Sequence, residues 1–400
     1  MYKYTSLFFL IMFMIGTDTF LISPLLPTLQ EKFDVSTGIA GWLIGAYTLG
    51  SAVFALIAGP LSDGWNRRTV LICGLLGFAV STALCGFADS FWTMFLFRLL
   101  AGISAAFTAP QVWASIPAVM PPSRIARTMG VAFGGLAAAQ ALGVPIGSWL
   151  AEAGWSIPFW TIGVASTALA AAAFILLPDM KPSAPSAGGT SIFRRYAPLM
   201  MSGRARTGFL AYLLLHLGSG TAFAFVGRWM ADQFELAVGQ IGTVMMFLGF
   251  GTLIGSIISS YTVRKLGLIP AVTAGMLLLA ILYAVVPRLT SLPLVAALYL
   301  IMFAVLGIIF PIAMGALTSL NASIRGTISS LANSTMNGAN TLGAWIAGVL
   351  YVQYGGYSSI GLFSAVCLAL SLVAFRMGGV LKSGAANAGG ETASAGSLNR

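Results

Sequence analysis

The sequence predicts an all-α membrane protein with twelve transmembrane helices arranged as two pseudo-symmetric six-helix bundles. Three observations carry this prediction: the composition, the number of long apolar segments, and motifs that recur about 200 residues apart. Of the 400 residues, 58% are hydrophobic and only 8% are charged, and the mean hydropathy is +0.93. A soluble surface needs several times this charge density, whereas a bilayer favours apolar helices that satisfy their own backbone hydrogen bonds.

A helix needs about 20 apolar residues to cross a bilayer, and twelve segments meet that length. They are predicted at 5–28, 39–62, 69–88, 91–118, 128–151, 157–178, 208–230, 238–261, 267–287, 291–319, 328–350 and 356–378. The first run follows Lys3 and has no small-residue cleavage site. We therefore expect it to be retained as a span and not removed as a signal peptide.

The segments divide the chain into four parts. We expect an N-terminal bundle over residues 1–178, a cytoplasmic linker over 179–206, a C-terminal bundle over 207–380 and a disordered tail over 381–400. The linker is basic and rich in Pro, Ser and Gly, and residues 192–201 within it predict a short amphipathic surface helix. The tail is rich in Gly, Ala, Ser and Asn, a composition that cannot bury enough apolar surface to fold.

The distribution of cations predicts the orientation. If the N-terminus is cytoplasmic, 16 of the 20 lysines and arginines fall in cytoplasmic segments. Only Lys32, Arg228 and Arg288 fall outside, and Arg98 lies within a span. Cytoplasmic loops accumulate Lys and Arg, so the bias places both termini inside and favours an even number of spans. It also accounts for the net charge of +10 without a nucleic-acid partner.

Motifs recur between the two halves. Gly59 and Arg68 are nine residues apart, as are Gly255 and Arg264, and Gly143-x-x-x-Gly147 has a near copy that begins at Gly343. Duplicated six-span halves joined by a linker are typical of secondary transporters, with a substrate site between the halves near the midplane. Chance recurrence in a chain with 47 glycines is the alternative.

Several functional classes are excluded. Cys73, Cys85 and Cys367 all fall inside apolar runs, which indicates buried thiols and neither disulfides nor a metal site. The chain has no phosphate-binding loop and no His/Cys/Asp cluster with metal-ligand spacing. We expect no cofactor, no metal and no catalytic residues, and therefore a protein that is not an enzyme. We also expect it to be a monomer in the lipid bilayer.

Asp18 and Arg98 resist a purely structural interpretation. Asp18 lies in the middle of the first span and Arg98 well inside the fourth, where charged groups are costly unless they face protein, water or a partner. Counted from the outer ends of their spans at about 1.5 Å per residue, their depths differ by about 5 Å, so they can meet. An Asp18 that binds and releases a proton would break and remake this pair. A permanent structural ion pair is the alternative.

Other residues are weaker candidates. His216, the only histidine, can be a proton carrier or a neutral packing residue among leucines. Small residues in the fourth and fifth spans permit close helix contact, and prolines there permit bending. An aromatic or sulfur-containing lining suits varied apolar ligands. The candidates for a substrate cavity are Tyr47, Trp113, Met14 and Ile22, the last two on the helical face of Asp18.

With these motifs placed, the chain resembles the major facilitator superfamily, specifically its twelve-span drug:proton antiporter branch. The segment Gly59-x-Leu-x-Asp63-x-x-x-Arg67-Arg68 resembles the loop signature between spans two and three, except that Asn66 and Gly64 depart from it. The segment that starts at Asp18 resembles the first-span acidic motif, and Arg98-x-x-x-Gly102 resembles the fourth-span arginine motif. The segment Gly143-Val-Pro145-x-Gly147 resembles the fifth-span antiporter motif, although the family prefers Gly directly before Pro.

The resemblance implies alternating access, in which two bundles rock about a central cavity under the proton gradient. Asp18 would be the titrating carboxylate and Arg98 its regulator. Asp63 would hold the cytoplasmic side shut by contacting the start of span eleven, with Gly59, Arg67, Arg68 and Arg127 around this latch. The second half has Ser259 at the position of Asp63, so the latch would be one-sided.

We therefore expect a proton-coupled exporter of small hydrophobic or amphipathic compounds in a bacterial inner or plasma membrane. Export of a defined metabolite, such as a sugar, nucleobase or amino acid, is the first alternative. A lipid translocase and a non-transporting receptor on the same scaffold are the others.

Overall fold

The computed structural model describes residues 2–62, 65–180, 192–321 and 325–381, and long helices account for nearly all of them. The first six are α1 Tyr2–Phe33, α2 Trp42–Ser62, α3 Arg67–Cys85, α4 Phe91–Val119, α5 Pro122–Ala138 with its continuation Val144–Ala153, and α6 Ile157–Leu176. The second six are α7 Gly203–Phe234, α8 Val238–Leu266, α9 Leu268–Val285, α10 Leu292–Thr318, α11 Arg325–Gln353 and α12 Tyr357–Met377. A short helix, Ile192–Met201, lies between the two sets, as the sequence predicted.

The all-helical membrane fold is confirmed. Within the described ranges, eleven helices are long and apolar enough to cross a membrane. The predicted span at 328–350 is helical as part of α11, but this helix is not among the eleven. Large apolar side chains cover the outer surface; Ile175, Ile257 and Met377, for example, are 77–80% exposed. Such a surface is stable in lipid and would aggregate in water.

Side chains at the helix starts satisfy the backbone N–H groups that a helix leaves unpaired. Asn66 accepts a 3.0 Å hydrogen bond from the backbone N–H of Arg68 and so caps α3. Ser90 and Thr93 form a capping box at the start of α4. Asn66 departs from the family motif, and its N-cap bond gives this departure a structural role.

A π-helical turn interrupts α5 at Ala139–Gly143. Pro145 follows within two residues and has no N–H to donate to the carbonyl one turn earlier, so the regular ladder is broken there. The sequence predicted local loosening at this proline. The turn lies where α5 passes both α1 and α8.

The two sets of six helices pack in the same way. In the first half α1 contacts α5 and α6, α2 contacts α4, and α3 contacts α4 and α6. In the second half α7 contacts α11 and α12, α8 contacts α10, and α9 contacts α10 and α12. Each pairing in one half therefore has its counterpart in the other, as expected for two bundles of one topology.

The halves meet along three helix pairs, α1 with α7, α2 with α11 and α5 with α8. The Thr48 and Thr341 hydroxyl oxygens are 2.8 Å apart between α2 and α11. In the α5–α8 pair, Gly249 lies against the backbone of Ala141. Gly249 is 201 positions after Thr48 and Thr341 is 200 positions after Ala141. The two contacts are thus equivalent, which is the geometry of a pseudo-twofold axis.

These contacts lie towards one face of the membrane. We call the face where α1 begins and α12 ends the terminal face, and the other the opposite face. Contacts between α2 and α11 run from mid-membrane, where Ser334 donates to the Ala52 carbonyl, to the opposite face, where Gly348 lies against Gly38. Nearer the terminal face, Gly130 and Gly134 of α5 border open space, with no atom within 4 Å of an added Cβ.

Candidate functional site

The centre of the first half holds a buried ion pair between α1 and α4. The Arg98 Nη1 atom donates a 2.7 Å hydrogen bond to Asp18 Oδ2, and Nη2 lies 3.4 Å from the Asp18 carbonyl oxygen. The two side chains are 1% and 0% exposed. The sequence placed both residues at similar depth, and the structure brings them into contact.

Several polar atoms around this pair are buried without a hydrogen-bond partner in the described part of the chain. They include Asp18 Oδ1, Arg98 Nε, the Tyr47 hydroxyl and the Thr82 hydroxyl. The Arg98 guanidinium lies over the Tyr47 ring, 4.6 Å from its centroid, a cation–π contact. Unsatisfied buried polar groups are costly and concentrate where function requires them. The site therefore contains a buried ion pair whose own polar atoms, and those of its neighbours, are not all hydrogen-bonded to described residues.

Close backbone packing positions the arginine. Gly102 is one turn after Arg98, and a Cβ there would collide with the Tyr47 carbonyl oxygen of α2. Ser51, one turn after Tyr47, donates a 2.9 Å hydrogen bond to the Gly102 carbonyl. These two contacts fix α2 against α4, so Tyr47 and Arg98 stay stacked. The spacing Arg98-x-x-x-Gly102 thus has a steric cause.

The second half has no carboxylate at the corresponding place. In the first half, Gly143 of α5 packs on the Thr17 side chain of α1; in the second half, Gly343 of α11 packs on Thr221 of α7. Asp18 follows Thr17 directly, and the residue that follows Thr221 is Ala222. The ion pair is therefore a feature of one half only.

The three residues of the predicted antiporter motif lie at contacts of α5 with neighbouring helices. Gly143 packs on Thr17, and Gly147 packs on Leu21, one turn further along α1. Pro145 lies against Gly242 of α8. This segment of α5 therefore packs on the helix that carries Asp18 and also on α8 of the other half.

His216 lies apart from the ion pair. Its ring is between those of Tyr212 and Phe310, with centroid distances of 4.5 and 4.6 Å. Nε2 is buried and has no hydrogen-bond partner among the described residues. The surroundings of this histidine are thus aromatic. They favour a neutral packing residue, one of the two roles considered for His216 from the sequence.

The cavity candidates fall into two groups. Tyr47 and Ile22 are 3% and 0% exposed, inside the packed first half. Met14 and Trp113 are half-buried, and Trp113 stacks on Phe133 at 4.3 Å. An aromatic cluster lies where the halves meet: Phe20 of α1 contacts Phe223 of α7 at 5.6 Å. The structure thus does not gather the four candidates into one lining.

The loop motif is described only in part. Asp63 lies outside the described residues, and so does the packing around Gly59. The latch therefore stays a prediction. Arg68 forms a 3.0 Å ion pair with Asp179 just after α6. Arg67 donates to the Ala114 carbonyl at 2.9 Å. Arg127 is exposed.

Sequence reasoning missed the polar face of α11. Asn333, Asn337 and Asn340 lie near the middle of this helix, and Asn337 Nδ2 donates to Asn333 Oδ1 at 3.0 Å. The signal was available, because the stretch LANSTMNGANT is the most polar within any predicted span. Uncharged polar residues within a span are a weaker signal of function than charged ones, because they cost less to bury.

Comparison with known families decides the classification. A family model of the Major Facilitator Superfamily matches residues 8–201 and 208–395. The chain belongs to this superfamily. It is accordingly a secondary transporter and not an enzyme, and members of the superfamily move small-molecule substrates across membranes.

Three similar proteins illustrate the relationship. The uncharacterized MFS-type transporter YceJ of Bacillus subtilis (strain 168) is 45% identical over 370 residues, which cover 92% of this chain and 95% of the relative. A chloramphenicol resistance protein of Streptomyces lividans is 26% identical over 244 residues, 60% of this chain and 61% of the relative. A bacterial homolog to the human lysosomal transporter Spinster, in an inward-facing and occupied conformation, superposes with a TM-score of 0.74 at 16% identity, covering 95% of this chain and 97% of that one.

Proposed function

We propose that this member of the Major Facilitator Superfamily is a proton-coupled antiporter that exports small hydrophobic or amphipathic compounds. One observation carries the proposal: Asp18, buried and paired with Arg98, is the only one of the ten acidic residues that the sequence places in the middle of a predicted span. A carboxylate retained at such a depth is costly, and proton relay is one of the functions for which membrane proteins retain it.

The geometry provides a route from proton binding to movement of the bundles. Protonation of Asp18 removes the charge that holds Arg98, and α1 is then released from α4. Five residues further along α1, Ser23 donates a 2.7 Å hydrogen bond to the Phe223 carbonyl of α7. The same segment of α1 therefore contacts both the ion pair and the other half. A shift of α1 would alter the contact between the halves.

We propose that the terminal face is cytoplasmic, because this orientation places 16 of the 20 lysines and arginines inside. The halves are held together towards the opposite face, so the structure would correspond to a transporter closed to the outside. Its similarity to an inward-facing transporter supports this assignment. The resistance protein among its relatives supports export as the direction.

The test is transport in proteoliposomes with an imposed pH gradient, across a panel of hydrophobic and amphipathic compounds. Asp18→Asn keeps an acceptor for Arg98 but cannot bind and release a proton, so gradient-driven transport should be lost. Asp89→Asn is the matched control, because Asp89 is an exposed residue in the α3–α4 turn. Transport that needs no gradient, or that Asp18→Asn leaves intact, would refute proton coupling.

A further inference from the structure

The middle of α11 carries amide side chains at a depth where polar groups are rare. Asn333, Asn337 and Asn340 lie at helix positions i, i+4 and i+7. At 3.6 residues per turn these positions fall within a sector of roughly 60° on one side of the helix. Uncharged polar side chains at this depth face protein or a water-filled cavity and not lipid.

Contacts on both sides of this sector fix the direction it faces. On one side, Thr341 and Ser334 bond to α2 of the other half. On the other side, Gly343 packs on Thr221 of α7. The three asparagines point between α2 and α7, towards the gap between the halves. Asn333 and Asn340 are half-buried, and Asn337 is 8% exposed.

The asparagines retain unused hydrogen-bonding capacity. Asn337 Nδ2 donates to the side-chain and backbone oxygens of Asn333, at 3.0 and 2.9 Å. Within the described residues, the Asn333 amide NH₂, the Asn337 Oδ1 and both polar atoms of Asn340 make no hydrogen bond. An amide offers two donors and an acceptor with two lone pairs. The sector therefore presents both donors and acceptors to a ligand.

The surroundings of the sector are uncharged and aromatic. Asn340 lies against Gly220 of α7, and Phe223 follows less than one turn later on the same helix. Phe223 contacts Phe20 and Phe303 at 5.6 and 6.2 Å. The mid-membrane ion pair is buried and its two charges compensate each other, so it offers no free charge to a ligand.

We propose that Asn333, Asn337 and Asn340 form the polar wall of the substrate site, and that this site takes uncharged compounds bearing hydroxyl or amide groups on an aromatic or aliphatic body. The inference rests on the proposed transport function and narrows its substrate class. A lipophilic cation would lose hydration without gaining a carboxylate, and an anion would gain no free cation.

Equilibrium binding to the purified protein in lipid nanodiscs, at one pH on both sides, tests the inference without any proton gradient. The neutral probes are chloramphenicol and hydrocortisone, and the charged ones are tetraphenylphosphonium and tetraphenylborate. At least one neutral probe should bind saturably and at least tenfold more tightly than either ion. Saturable binding of neither neutral probe, or tighter binding of an ion, would overturn the proposal.

Variants locate the binding. Asn333→Leu and Asn337→Leu should each weaken neutral-probe binding by roughly 2- to 12-fold, the range for one uncharged hydrogen bond. Thr335→Val is the matched control, because Thr335 is on the far side of α11 and its hydroxyl bonds only to the Leu331 carbonyl. Equal binding by the Leu variants and the control would overturn the assignment.

A gain-of-binding variant covers the case in which the leucine variants misfold. Asn337→Asp places a carboxylate in the sector, so this variant should bind tetraphenylphosphonium. If it binds the neutral probes as before and does not bind the cation, residue 337 does not face the ligand site. Failure of proton coupling in the Asp18→Asn transport assay leaves these outcomes unaffected. Failure of the neutral-ligand site would appear here while gradient-driven transport persisted.

Discussion

Arg98 Nη1 and Asp18 Oδ2 are 2.7 Å apart in a pocket that excludes solvent from both side chains. Replacing one member of such a pair leaves an uncompensated buried charge, at a cost of about 3–5 kcal/mol. The two members differ, because a lone carboxyl can become neutral by binding a proton whereas a guanidinium stays charged. Removing Asp18 should therefore destabilise the protein more than removing Arg98, because the arginine that is left behind stays charged.

We predict that Asp18→Leu lowers the thermal stability of the purified protein more than Arg98→Leu does. The double variant, which removes both charges, should be more stable than Asp18→Leu alone, since hydrophobic replacement of a buried pair is often neutral. Thermal unfolding in one detergent, followed for all four proteins, measures the coupling. Simple addition of the two single effects in the double variant would show that the residues do not interact.

The aromatic surroundings of His216 predict that it does not carry the coupled proton. His216→Phe keeps a ring between Tyr212 and Phe310, so folding and gradient-driven transport should both be preserved. The measurement is proton-driven uptake at several pH values, side by side with wild type. Loss of the response to the gradient with unchanged ligand binding would return His216 to the coupling machinery.

A polar cluster at the opposite face spans the two halves. Arg228 Nη1 donates to Gln30 Oε1 of α1 at 2.9 Å, and the same guanidinium pairs with Asp232 at 2.8 Å. The Tyr351 hydroxyl of α11 donates to Asp232 at 2.5 Å. This cluster holds α1, α7 and α11 together where the halves close.

We predict that Arg228→Met shifts the protein towards a form open at the opposite face. Spin labels at Asp89 and Arg288, both exposed there, should move apart. Labels at Trp65 and Leu266, both exposed at the terminal face, should approach each other in the same variant. Only partly buried pairs are involved, so a population shift is expected and not unfolding. Unchanged distances at both faces would mean that the cluster does not contribute to closure.

The sequence predicted the helices well because nearly every span is a long apolar run bounded by turn residues. The short helix Ile192–Met201 and the contact of Asp18 with Arg98 were also predicted, the first from amphipathic spacing and the second from depth along straight helices. The polar side of α11 that carries Asn333, Asn337 and Asn340 was not predicted. Which side of a helix faces a cavity depends on how neighbouring helices pack around it, and that is a property of tertiary contacts which no local pattern records.

The same limit applied to the contact between the halves. Thr48 lies in an apolar run and Thr341 at the end of the polar stretch of α11, and nothing in either segment marks the two as partners. The sequence repeat did identify one pair of equivalent positions. Gly143 and Gly343, matched by spacing, make equivalent contacts in the two halves.

The close approach of α5 and α8 provides a steric test of the closed interface. A Cβ on Gly249 would clash with backbone atoms of Ala141, which cannot rotate away as a side chain does. Gly249→Ala should therefore force the helices apart at the cost typical of overpacking, about 1–3 kcal/mol, and lower the melting temperature. It should also widen the distance between labels at Asp89 and Arg288. Gly130→Ala is the control, because a Cβ there meets no atom within 4 Å and alanine favours the helix by up to about 1 kcal/mol. Equal effects of the two substitutions would show that α5 and α8 do not pack at this register in the membrane.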